Sequence, residues 1–155
     1  MFAVNWEQVK DDFAWDGSLR AVYVLDTHVD EWELFFEVLR EAGYSLTYSI
    51  DSETRALPAR AEEALHLRAL ANPVLEVSVD GITIACHFLR EEEIELEFDA
   101  RDVNEDRLPA LLAFVSGLGD RLLKDVQLTR YKRPDAPFLR YSWQDCRMEL
   151  LPATA

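Results

Sequence analysis

An α+β fold, a mostly antiparallel sheet packed against helices, is predicted by three observations. Residues 74–99 hold three successive segments whose apolar side chains alternate with period two, the mark of strands with one wet face. Asp80-Gly81 separates the first two and is the strongest hairpin signal in the chain. Residues 28–42 and 108–118 instead space their apolar residues as helices do, and strands and helices are interleaved with hairpin-linked strands at the centre. The expected core of the sheet is therefore a three-stranded meander.

Taken in order, Asn5 is placed to cap a short helix with Trp6, Val9 and Phe13 on one face, ended by Asp16-Gly17. Residues 19–26, rich in Val, Tyr and Leu, read as a buried strand. Thr27, with Asp30 three residues on, predicts the cap of a strong helix whose stripe is Trp32, Phe35, Phe36 and Leu39. Gly43 stands where a left-handed residue would end it. Residues 44–50 alternate Tyr44, Leu46, Tyr48 and Ile50 against Ser45, Thr47 and Ser49, a half-buried strand. Residues 51–56 read as a polar loop. Pro58 opens a helix through Ala61, Ala64, Leu65 and Leu67, and Asn72-Pro73 stops it.

In the meander, Leu75, Val77 and Val79 share one face, then Ile82, Ile84, Cys86 and Phe88, then Ile94, Leu96 and Phe98. Asn104 is the expected cap of a helix carrying Leu108, Leu111, Leu112, Val115 and Leu118, with Pro109 in its first turn and Gly117 and Gly119 at its end. Residues 126–131 and 138–143 form a last hairpin, whose loop prolines Pro134 and Pro137 would blunt a sheet edge.

The 155 residues are read as a single domain over 1–155, long enough for a core without staples. Two cysteines, Cys86 and Cys146, make no disulfide framework and no CxxC pattern, which suits a reducing compartment. The N-terminus shows no basic segment followed by an apolar run, and no stretch has the length of a membrane span, so the expected location is cytoplasmic.

Charge is distributed unevenly. Residues 1–120 carry 26 acidic and 9 basic side chains, whereas residues 121–155 carry 4 acidic and 7 basic. The whole chain has a net charge of −14. Such a surface repels nucleic acid and anionic membrane and attracts a basic protein. The densest cluster is Glu91, Glu92, Glu93, Glu95, Glu97 and Asp99. Strand period puts Glu93, Glu95, Glu97 and Asp99 on one solvent face, where like charges repel unless a cation neutralises them. Four readings follow: a solvated face, a face paired within the chain to Arg130, Lys132 or Arg140, a docking surface for a basic partner, or a metal or catalytic carboxylate site.

No known catalytic constellation stands out. GxSxG, HExxH, P-loop and GxGxxG patterns are missing, and no DxDxDG-like loop supplies a hard-cation site. Cys86 and His87 are adjacent in one strand and point to opposite faces, so they do not ligate one ion. No metal and no cofactor are predicted. His28 is expected at the surface in the first turn of a helix. Trp32 and Phe36 would become interface anchors only if they faced outward.

In size, charge and pattern the chain resembles the small acidic immunity proteins of bacterial toxin–immunity systems. The segments carrying the resemblance are Trp15-Asp16-Gly17-Ser18-Leu19-Arg20, Tyr23-Val24-Leu25-Asp26-Thr27, and His87-Phe88 through the acidic strand to Asp99 and Arg101. The resemblance implies a compact α+β domain that occludes a basic toxin partner. A small enzyme of unfamiliar motif, drawing its acid or base from His87, His28 or the glutamates, is the alternative. A structural or oligomeric domain without a small ligand is a third.

Overall fold

The computed structural model describes residues 4–131 and 133–152. Its elements in chain order are α1 (Trp6–Val9), β1 (Arg20–Leu25), α2 (Val29–Ala42), β2 (Ser45–Ile50), β3 (Glu53–Arg55), α3 (Ala61–Leu67), β4 (Pro73–Val79), β5 (Ile82–Cys86) and β6 (Glu93–Phe98). A short 3-10 turn (Ala100–Asp102), α4 (Leu108–Leu122), β7 (Val126–Arg130), β8 (Pro137–Ser142) and β9 (Arg147–Leu150) complete it. The architecture is α+β, as expected. The sheet, however, is much larger than a three-stranded meander: nine strands in the order β3-β2-β4-β5-β6-β1-β7-β8-β9, every neighbouring pair antiparallel. The predicted meander is its middle, β4-β5-β6.

One face of the sheet is apolar. Leu75, Val77, Ile82, Ile84, Ile94, Leu96, Val22, Val24, Val126 and Leu128 are all buried there. The helices α2, α3 and α4 pack together over it. Trp32, Phe35, Phe36 and Leu39 of α2 belong to this core, so Trp32 and Phe36 are packing residues and not outward anchors. Phe88, whose backbone turns left-handed (φ 55) just past β5, meets Trp32 at a tilt and Phe36 and Tyr48 edge to face. Phe13 reaches the same face further along, against Phe98 and Phe138.

Several helix boundaries differ from the sequence reading. Asn5 caps α1 as expected, reciprocally with Gln8. Thr27 does not cap α2: its hydroxyl donates to the Glu91 carbonyl at 2.7 Å, and His28 holds the cap position. The side chain serves a distant loop because Thr27 is buried under residues 91–92, whose carbonyls also accept from Trp32 Nε1 and from the Thr27 amide. Pro58 lies ahead of α3, whose first amides, of Ala61 and Glu62, donate instead to the Glu33 carboxylate on α2. Asn104 caps the turn before α4 by accepting from the Arg107 amide. Gly117 and Gly119 sit inside α4, which continues to Leu122 and ends at a left-handed Leu123 (φ 56).

Two strands escaped sequence reading. β3 lies in the expected polar loop, and β9 follows a turn over residues 143–146. They are the two edges, both short and each carrying charged residues, as edges tend to do. Pro137 therefore begins an interior strand, with β9 outside it.

Arg20 is 0% exposed, an unusual state for a guanidinium. It is satisfied by the carbonyls of Asp12, Ala14 and Ser18 and by Asp16, and so ties residues 12–18 to the start of β1. Among the described residues no helix is long and apolar enough to cross a membrane.

Candidate functional site

The strand order puts the acidic strand β6 fifth of nine, at the middle of the sheet. Ile94, Leu96 and Phe98 point into the core, so period two sends Glu93, Glu95 and Glu97 to the face that no helix covers. There the neighbours across the ladder are Leu25 opposite Glu93, Tyr23 opposite Glu95, and Ala21 and Ala85 flanking Glu97. The alanines leave the Glu97 carboxylate room, and His87 Nε2 stands 3.6 Å from it.

The row has three carboxylates and not four. Asp99 lies past the strand end, where its side chain caps the 3-10 turn and accepts from Arg101 at 2.7 Å. These hydrogen bonds hold its carboxyl below the usual aspartate range. Arg101 also lies over the exposed Trp15 ring at 3.8 Å. Glu91 and Glu92 are exposed in the turn before β6, where their carbonyls serve Thr27 and Trp32 and their carboxylates are left to solvent.

The three glutamates are also less exposed than the sequence predicts: each is half-buried. Tyr23 and Pro134 stand beside Glu93 and Glu95. Tyr23 is a large aromatic on the open face, yet it is only 1% exposed. Its hydroxyl donates to Glu95 Oε1 at 2.5 Å. Burial, reinforced by that hydrogen bond and by the charges of Glu95, Glu93 and Glu97, pushes the phenol far above its ordinary pKa. Gln127, on the other side of Tyr23 in the ladder, donates from Nε2 to the Pro134 carbonyl. Burial likewise raises the Glu93 carboxyl above its usual range, with Arg90 acting against the rise and Glu95 and Glu92 adding to it.

Between these parts lies a cleft of about 250 Å³, lined by Tyr23, Leu89, Arg90, Glu93, Glu95 and Pro134. A second depression, about 400 Å³, opens further along near Leu25, Gln127, Arg140 and Trp143. Leu25 and Gln127 are the ladder partners of Glu93 and Tyr23, so the two hollows adjoin across β1.

Intrachain ion pairing of the row by the C-terminal cations, one of the expected alternatives, does not occur among the described residues. Arg130 pairs with Asp16 at 3.0 Å and Asp12 at 3.7 Å, and Arg140 pairs with Glu149 at 3.3 Å. Lys132 lies outside the described residues. Among the described residues no lysine or arginine comes within the 4.0 Å of an ion pair with Glu93, Glu95 or Glu97.

Cys86 points into the core and His87 to the open face, as alternation requires. Burial pushes the Cys86 thiol up to about 12, so it stays protonated near neutral pH. Cys146 is exposed, far along the chain in the last turn.

Sequence reading found the glutamates but missed Tyr23 and Arg90 as members of the site. The one available signal was a tyrosine out of phase with Val22 and Val24 in a strand read as buried. No protein family, curated protein or solved structure matches the chain.

Proposed function

We propose that the chain is a non-catalytic binding domain that captures and neutralises a basic protein partner, the role the resemblance to immunity proteins suggests. One observation carries this reading: the row Glu93, Glu95, Glu97 at the middle of the helix-free sheet face, with which no lysine or arginine among the described residues forms an ion pair. A charged row of this kind costs stability through mutual repulsion, and an incoming cationic surface relieves it. The apolar neighbours Leu25, Leu89 and Pro134 surround the charges, which suits a protein surface better than a dissolved ion. Glu91 and Glu92 extend the field at one end of the row; Asp99, engaged with Arg101, does not belong to it. An acidic face of this kind would speed encounter with its partner and make it sensitive to salt.

The test uses the chain as bait in its source cell. The bait pair is wild type against Glu93→Gln/Glu97→Gln, with Glu53→Gln/Glu105→Gln as a control of equal net charge. The reading expects a basic protein held by wild type and control, released by salt, and lost from the first variant. With that protein purified, Glu97→Lys should slow association about tenfold or more at low salt. Equal capture by all three baits overturns the reading, because net charge and not this face would then hold the partner.

A further inference from the structure

We propose that the cleft beside Tyr23 is a socket for a single arginine side chain of the basic partner; the inference rests on the reading above. The cleft, about 250 Å³, is smaller than the ~300–1,000 Å³ of small-molecule sites, and so is scaled to a side chain. Its chemistry is split. Leu89, 42% exposed, and Pro134 give apolar walls, and Glu93 and Glu95 give carboxylates.

That division fits a long cationic side chain, whose methylene stem lies on apolar surface while its head meets the charge. Residues two apart on one strand face stand about 6.5–7 Å from each other. The planar guanidinium, with five donors in a fixed fork, can address both carboxylates, whereas an ammonium acts as a point charge. Glu95 is pre-positioned because one oxygen already accepts from Tyr23, so little side-chain freedom is lost when the guanidinium binds. Glu93 is the desolvated member and gains most from a cation.

Arg90 gives the socket a built-in counter-charge. It lines the rim and acts electrostatically on Glu93. The incoming arginine therefore competes with Arg90 for the same carboxylate. This sets the socket apart from a simple acidic surface, because removing one of the protein's own cations at this point should tighten binding selectively at the cleft.

The probes are Nα-acetyl-arginine amide, its neutral citrulline counterpart and a nona-arginine peptide, each titrated into the protein while backbone amide NMR shifts are recorded. The expected result is that capped arginine moves the resonances of Tyr23 and residues 89–95, and capped citrulline does not. Glu93→Gln should weaken capped arginine about fivefold, and Arg90→Ala should strengthen it about twofold. Glu97→Gln should leave capped arginine unchanged while weakening nona-arginine. Silent cleft resonances, equal shifts with citrulline, or weaker binding in Arg90→Ala overturn the socket. If nona-arginine still binds in a Glu97-dependent way, the socket alone has failed and the acidic face stands. If nona-arginine binds wild type and Glu93→Gln/Glu97→Gln alike, the face itself has failed.

Discussion

Tyr23 and Glu95 face each other across β1 and β6, and the phenol donates to the carboxylate at 2.5 Å on a sheet face that no helix covers. The pair joins the two strands at the middle of the sheet and fixes one carboxylate of the acidic row. Among the described residues no buried side-chain polar atom lacks a hydrogen-bond partner, and this bond is what satisfies the Tyr23 hydroxyl.

Tyr23→Phe should therefore lower unfolding stability by about 1.5–3 kcal/mol, the worth of a hydrogen bond to a charged acceptor. Urea denaturation of Tyr23→Phe, Glu95→Gln and the double variant gives the coupling. A coupling near zero would mean the bond is not made in solution. Glu95 is a poor choice for testing docking by charge reversal for the same reason, since Glu95→Lys would also strand a buried phenol.

Two glycines in α4 should respond in opposite directions. A Cβ added to Gly119 would stand 2.5 Å from Tyr141 Cδ2, while one added to Gly117 meets nothing within 4 Å. Gly117→Ala should stabilise by about 0.5–1 kcal/mol through helix propensity. Gly119→Ala should destabilise by about 1–3 kcal/mol, as overpacking does. Thermal melts of the two variants side by side check this, and equal shifts would show that Tyr141 yields freely.

Glu33 ties α2 to α3 by accepting from the Ala61 and Glu62 amides at 2.6 and 3.0 Å. Glu33→Ala should cost about 1 kcal/mol, the usual value of a helix cap. Phe35→Ala, at a fully buried position of the same helix, should cost about 3–5 kcal/mol. Amide hydrogen exchange should show the Glu33→Ala loss concentrated in residues 61–67, and the Phe35→Ala loss spread over the core.

Glu93 gives a pH signature. Its folded pKa is raised, chiefly by burial, so the folded state holds this proton more tightly than the unfolded chain. Stability from this group is then highest below the ordinary glutamate pKa, falls as pH rises through the raised value, and stays low above it. Glu93→Gln should raise the melting temperature at about pH 7 and lose that advantage near pH 3. An advantage that persists at acid pH would assign the effect to packing.

How much was legible depended on the range of the interaction. The alternation of Ile94, Leu96 and Phe98 against Glu93, Glu95 and Glu97 is written in consecutive residues, so the acidic face could be read directly. The helix stripe at Trp32, Phe35 and Leu39 is local in the same sense. Thr27 shows where local reading fails. Its position is right for a cap, but the carbonyl of Glu91, far along the chain, takes its hydroxyl. Gly119 likewise looks like a helix end until Tyr141 is seen against it. Asp99 keeps strand phase in sequence, yet Arg101, two residues on, draws it away.

The sequence by itself determined the types of the longer elements, their faces and the excess of negative charge, because period, turn chemistry and composition act between near neighbours; the short edge strands β3 and β9 carry too little period to be read. Only the tertiary structure decided that β1 inserts between β6 and β7, that the sheet reaches nine strands, and that the acidic strand is its central one. It also brought Tyr23, Arg90 and Pro134 around Glu93 and Glu95. Strand order depends on which distant apolar faces bury best together, and that competition is among residues far apart in the chain.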